Sequence, residues 1–71
     1  MDGDPVFIVR ESKAQPGKRD VDHFEKFLSR VSRYLEAQVM PVMVTYSVRP
    51  KVERYAKETI KDLRLYMSFE I

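Results

Sequence analysis

The sequence predicts a small α/β domain in the order β-α-β-α-β, a three-stranded, mainly parallel sheet with two helices. Three observations predict it. Short β-branched apolar runs at 6–9 and 42–48 alternate with two longer stretches whose apolar residues return every three or four positions. No repeat, low-complexity run or internal linker interrupts the 71 residues, so 1–71 reads as one domain. Right-handed crossovers through helices lay consecutive strands side by side in one direction.

Asp2-Gly3-Asp4-Pro5 is turn chemistry, and Val6 to Arg10 follows as a β-branched, aromatic strand. Lys13 to Arg19, with Pro16-Gly17 inside, reads as an exposed loop. Asp20 then caps a helix in which Val21, Phe24, Phe27, Leu28, Val31, Tyr34 and Leu35 form the apolar stripe, and Pro41 lies past its end. Val42 to Val48 is apolar on both faces up to Tyr46, the pattern of a central strand covered on both sides. Pro50 suits the first turn of a second helix with Val52, Tyr55, Ala56, Ile60 and Leu63 inward. Leu65, Met67, Phe69 and Ile71 give a last strand one apolar face.

Composition sets the function classes aside one by one. Hydrophobic residues at 44% and charged residues at 34% describe a globular chain rather than a disordered one. With no cysteine and only His23, disulfides, cysteine-zinc sites and multi-histidine centres are excluded. The serines lack a partner base for nucleophilic catalysis. No apolar run approaches the roughly 20 residues of a membrane helix, and no secretory leader is evident, so a cytoplasmic location is expected. Net charge is 13 − 11 = +2, too weak alone to argue for nucleic acid. A chain this short buries only about 60% of its unfolded surface, which makes a homodimer the expected source of further stability. The tyrosines at 34, 46, 55 and 66 and the methionines at 40, 43 and 67 read as packing residues.

Chemistry gathers at Glu11-Ser12-Lys13. Residues two apart on a strand share a face, so Glu11 and Lys13 converge where the chain leaves the sheet. A carboxylate there can hold Mg²⁺, an ammonium beside it can offset phosphate charge, and Lys18 and Arg19 follow in reach of a nucleic-acid backbone. On pattern alone the pair reads first as an exposed ion pair worth at most about 1 kcal/mol.

Pro5-Val6-Phe7-Ile8-Val9-Arg10-Glu11-Ser12-Lys13 resembles the core strand of the PD-(D/E)XK nuclease superfamily, which ends in an acid-x-lysine triplet. Asp20-Val21-Asp22-His23-Phe24 and Ser32-Arg33-Tyr34-Leu35-Glu36 look like the helix that follows it in archaeal nuclease-like proteins. Pro41-Val42-Met43-Val44-Thr45 is similar to their next strand, and Val52-Glu53-Arg54-Tyr55-Ala56-Lys57-Glu58 with Leu65-Tyr66 resembles the last helix and strand. The resemblance implies the C-terminal part of a restriction-endonuclease-like fold, with Glu11 and Lys13 catalytic and Glu11 on Mg²⁺. It implies DNA or RNA as substrate, contacted by Lys13, Lys18 and Arg19. The family's two preceding strands and upstream aspartate have no counterpart in the ten residues before Glu11, where Asp4 or Asp2 is the substitute metal ligand. The expectation is therefore a truncated nuclease-like domain with an incomplete metal site and weak or no hydrolysis.

Two alternatives stand beside it. One is a non-enzymatic homodimeric interaction domain joined through an edge strand or an uncovered sheet face. The other is a nucleic-acid-binding module like the Alba-type chromatin proteins, whose opening element order is the same. The Gly-Lys-Lys loop and Ala-Arg-Gly-Arg turn associated with that family are absent from this sequence.

Overall fold

The computed structural model describes residues 6–68 and has five elements in the expected order. β1 is Val6–Lys13, α1 Lys18–Leu35, β2 Gln38–Thr45, α2 Pro50–Thr59 and β3 Arg64–Met67. The sheet order is β1-β2-β3, and both pairings are parallel. Phe69, Ile71 and the 2–5 turn lie outside the described residues.

Several boundaries differ from expectation, each for a local reason. β1 continues through Lys13, because Ser12 and Lys13 still pair with Val44 and Thr45. The loop therefore shrinks, and α1 starts at Lys18 with Gly17 before it. Asp20 is the third helical residue instead of the cap, and its Oδ2 accepts the Gly17 N–H at 2.8 Å. An acid at this position satisfies one of the donors that every helix start leaves free. Glu36 (φ 51°) ends α1 in the left-handed region, at a cost of about 1 kcal/mol for a residue with a side chain. β2 begins early enough to include Pro41, which is buried inside it and is not the helix stop. Because β3 pairs only from Val42 onward, β2 is locally an edge at Pro41, and proline is tolerated there. Pro50 does occupy the first turn of α2, as expected.

One buried cluster joins Val21, Phe24 and Leu28 of α1, Met43 of β2, and Val52, Ala56 and Ile60 in and after α2. Both helices therefore cover the same face of the sheet. The topology requires it: strand order equals chain order, so each right-handed crossover advances in the same direction and lies on the same side. Val9, Val39 and Leu65 pack against this cluster, and the register makes Leu65 the cross-strand neighbour of Met43.

The other sheet face has no helix among the described residues. This corrects the expectation that β2 is covered on both sides. Strand alternation turns Met40, Val42 and Val44 away from the Met43 side. Val44 is buried yet stands outside the core cluster, while Met40 and Val42 are half-buried. The packing roles expected of the tyrosines and methionines hold only in part. Met43 is 1% exposed, but Met67, Tyr34, Tyr46 and Tyr66 are all exposed. No helix of the described residues is long and apolar enough to cross a membrane.

Candidate functional site at the carboxyl end of β1

Glu11 and Lys13 sit within β1, opposite Met43 and Thr45, and so point to the helix-covered side of the sheet. At the sheet edge both remain exposed. They do not act as a pair. The Lys13 Nζ lies 3.3 Å from Asp20 Oδ1, while Asp20 Oδ2 takes the Gly17 N–H. Asp20 thus ties the end of β1 to the start of α1 with its two oxygens. Glu11 has no hydrogen-bond or ion-pair partner among the described residues.

The electrostatics follow from this geometry. The Gly17 N–H holds the Asp20 carboxyl below its ordinary value of 3.8, opposed by partial burial and aided by the Lys13 hydrogen bond and charge. Lys18 and Arg19, expected in the loop, form the first turn of α1 instead. Lys18 turns toward α2, its Nζ 5.4 Å from the centre of the Tyr55 ring. The Tyr55 hydroxyl donates to Asp22, which raises the Tyr55 pKa above its ordinary 10.0. Lys18, Asp22 and Tyr55 therefore hold the two helices together, leaving Arg19 and Glu11 as the charges of the expected set with no partner among the described residues.

The metal expectation can be tested on the donor set. Asp4 lies outside the described residues. Among the described residues, no group of three His, Asp or Glu side chains converges on a point where an ion would sit. A divalent cation needs several oxygen ligands, and here Glu11 supplies one. The strand order never reverses, so the sheet has no switch-point crevice, and the pocket of about 410 Å³ beyond the ends of β1 and β2, lined by Gln15, Pro16, Ser47, Val48, Arg49 and Pro50, has neither Glu11 nor Lys13 on its wall. A groove of about 610 Å³ lies at the opposite end, lined by Leu28, Ser32, Val39, Thr59, Ile60 and Asp62, with neither Glu11 nor Lys13 on its wall.

Sequence reasoning placed the triplet but missed its real partner. Asp20 lies seven positions beyond Lys13 and three beyond Gly17. The signal was that last spacing, an acid at the third helical position after a small residue. No protein-family model, curated protein or solved structure matches the chain.

A pH dependence follows from Asp20. Its folded pKa is depressed, so its contribution to stability is complete above the ordinary value of 3.8 and disappears as pH falls through the lower folded value. Thermal melts should show Asp20→Asn destabilised by about 1 kcal/mol at pH 6 and the gap closing near pH 2. A gap of equal size at both pH values would refute the tie.

Proposed function

We propose that this chain is a non-enzymatic interaction domain that holds an acidic amphipathic helix of another polypeptide against the open face of its sheet. The observation that carries this reading is a parallel sheet with helices on one side only. Parallel sheets are ordinarily covered on both faces, by helices.

The composition of the open face favours an acidic partner. Ile8 stands beside Met40, then Arg10, Val42 and Arg64 form one row across all three strands, and Ser12, Val44 and Tyr66 form the next. Two arginines flank an apolar centre, and no described residue of these three rows is acidic. A helix with a leucine stripe and glutamate flanks matches both features. Two arginines facing two arginines would disfavour a second copy laid face to face.

The check is an NMR titration with two synthetic helical peptides that share a leucine stripe and differ in flanking Glu or Lys. The Glu peptide should shift the Ile8, Met40 and Val42 methyls, and the double variant Arg10→Glu/Arg64→Glu should reverse the preference. Methyls that respond to neither peptide, or to both equally, would contradict the proposal.

A second reading keeps the nuclease-like resemblance: a truncated PD-(D/E)XK-like domain associated with DNA or RNA, with Mg²⁺ on Glu11. The exposed, unpartnered Glu11 carboxylate favours it, with Lys13 two residues on and Arg19 in the first turn of α1. Titration with Mn²⁺ separates the two. Selective broadening centred on Glu11 and Lys13, abolished by Glu11→Ala, belongs to the nuclease-like reading, and uniform weak broadening belongs to the interaction domain.

A further inference from the structure

β1 is a sheet edge eight residues long, with Val6, Phe7 and Ile8 between 42% and 68% exposed. Proteins seldom leave an apolar edge of this length unpaired, because its free N–H and C=O groups template another strand. The edge has no proline, and its charged residues, Arg10, Glu11 and Lys13, guard only its second half.

The flank of α1 above this edge is apolar too, and two contacts establish which flank it is. Lys18 and Asp22 reach Tyr55, so their side of α1 faces α2. Asp20 reaches Lys13, so its side faces β1. Phe27, Val31 and Tyr34 lie seven, eleven and fourteen positions beyond Asp20, the spacing of one helical stripe. They therefore lie on the β1 side of α1, the side away from α2. Phe27 is 49% exposed and Tyr34 85%, although the apolar periodicity reads both as core. Heights agree as well. At about 1.5 Å per helical residue and about 3.3 Å per strand residue, Phe27 lies level with Arg10 and Val9, and Tyr34 with Phe7. Strand edge and helix flank make one apolar wall.

We infer that this wall is a two-fold homodimer interface, β1 pairing antiparallel with β1 of a second copy and α1 packing beside the second copy's α1. The inference rests on the interaction-domain reading and adds a second surface to it. A two-fold axis normal to the sheet keeps the layers matched, strand meeting strand and helix meeting helix, and yields one six-stranded sheet. The two layers of the wall favour a second copy as the occupant, since no single added strand or helix covers both the β1 edge and the α1 flank. A two-fold axis at Val9 sets Val9 against Val9 and Arg10 beside the other copy's Ile8, so like charges do not meet at the axis. The open face then runs unbroken across both copies.

Sedimentation equilibrium of the full chain tests this. Wild type at micromolar concentration should sediment at twice 8.4 kDa. Phe27→Glu and Tyr34→Glu, with circular dichroism unchanged, should each raise the dissociation constant tenfold or more. Tyr34 is so exposed that its variant keeps the test open even where Phe27→Glu fails to fold. A wild-type monomer overturns the inference, as does a dimer indifferent to Phe27→Glu and Tyr34→Glu but broken by Val42→Glu on the open face. A monomer that still binds the Glu peptide overturns this inference alone; a dimer that ignores the peptide overturns the functional reading alone.

Discussion

Met43→Ala should remove about 2–5 kcal/mol of stability and lower Tm by about 8–40 °C. Met43 is 1% exposed and sits in the one cluster that joins β2 to both helices. Truncation leaves a cavity that neither helix can fill without losing its own contacts. A domain of this size holds only about 4–10 kcal/mol in total, so the loss is a large share of it. Chemical denaturation reads the loss directly. A change below about 1 kcal/mol would mean that the cluster collapses around the gap and that the helices are not pinned through Met43.

Thr45→Val should do the opposite. Thr45 is two residues on from Met43, on the same face, and is fully buried. Its Oγ1 has no hydrogen-bond partner among the described residues. An unpaired buried hydroxyl costs about 1–3 kcal/mol, and valine keeps the shape while removing it. The Thr45 carbonyl, which accepts the Ser68 N–H at 2.8 Å, is untouched by the exchange. The denaturation midpoint should rise with its slope unchanged. A fall would show that the hydroxyl finds a partner in solution, most simply an ordered water.

The order of elements was legible because it depends on local patterns: periodicity in the helices, β-branched runs in the strands, Pro50 at a helix start. Their ends were less legible because pairing decides them. Lys13 is polar and opens a stretch that reads as loop, yet Thr45 stands beside it and extends the strand. The uncovered face was illegible in principle. Val42 and Val44 are apolar whether a helix of this chain or a partner's segment covers them, so alternation alone cannot name the cover. The same holds for Phe27, Val31 and Tyr34, which continue the stripe of Val21, Phe24 and Leu28 but belong to the flank turned away from α2. A stripe wider than the core needs is the sequence trace of a second packing surface.

For the candidate site the triplet itself was legible, and its partner was not. Strand alternation put Glu11 and Lys13 on one face, as the structure has them. What separates them is Asp20, which binds Lys13 only because Gly17 starts α1 early enough to bring the carboxylate over the strand end. Lys13 thereby becomes part of the scaffold, and Glu11 is left as an exposed acid without a partner among the described residues.

The central claim, that this domain works by pairing its surfaces with other polypeptides beginning with itself, is tested most directly by hydrogen exchange along β1. Alternate amides of a strand point away from its neighbour, and in a lone sheet edge they meet only water. In the dimer the outward amides of residues 6–13 are hydrogen-bonded, so their protection should be strong at high protein concentration and fall on dilution. Outward amides exchanging at unprotected rates at every concentration, beside inward amides fully protected by β2, would contradict it.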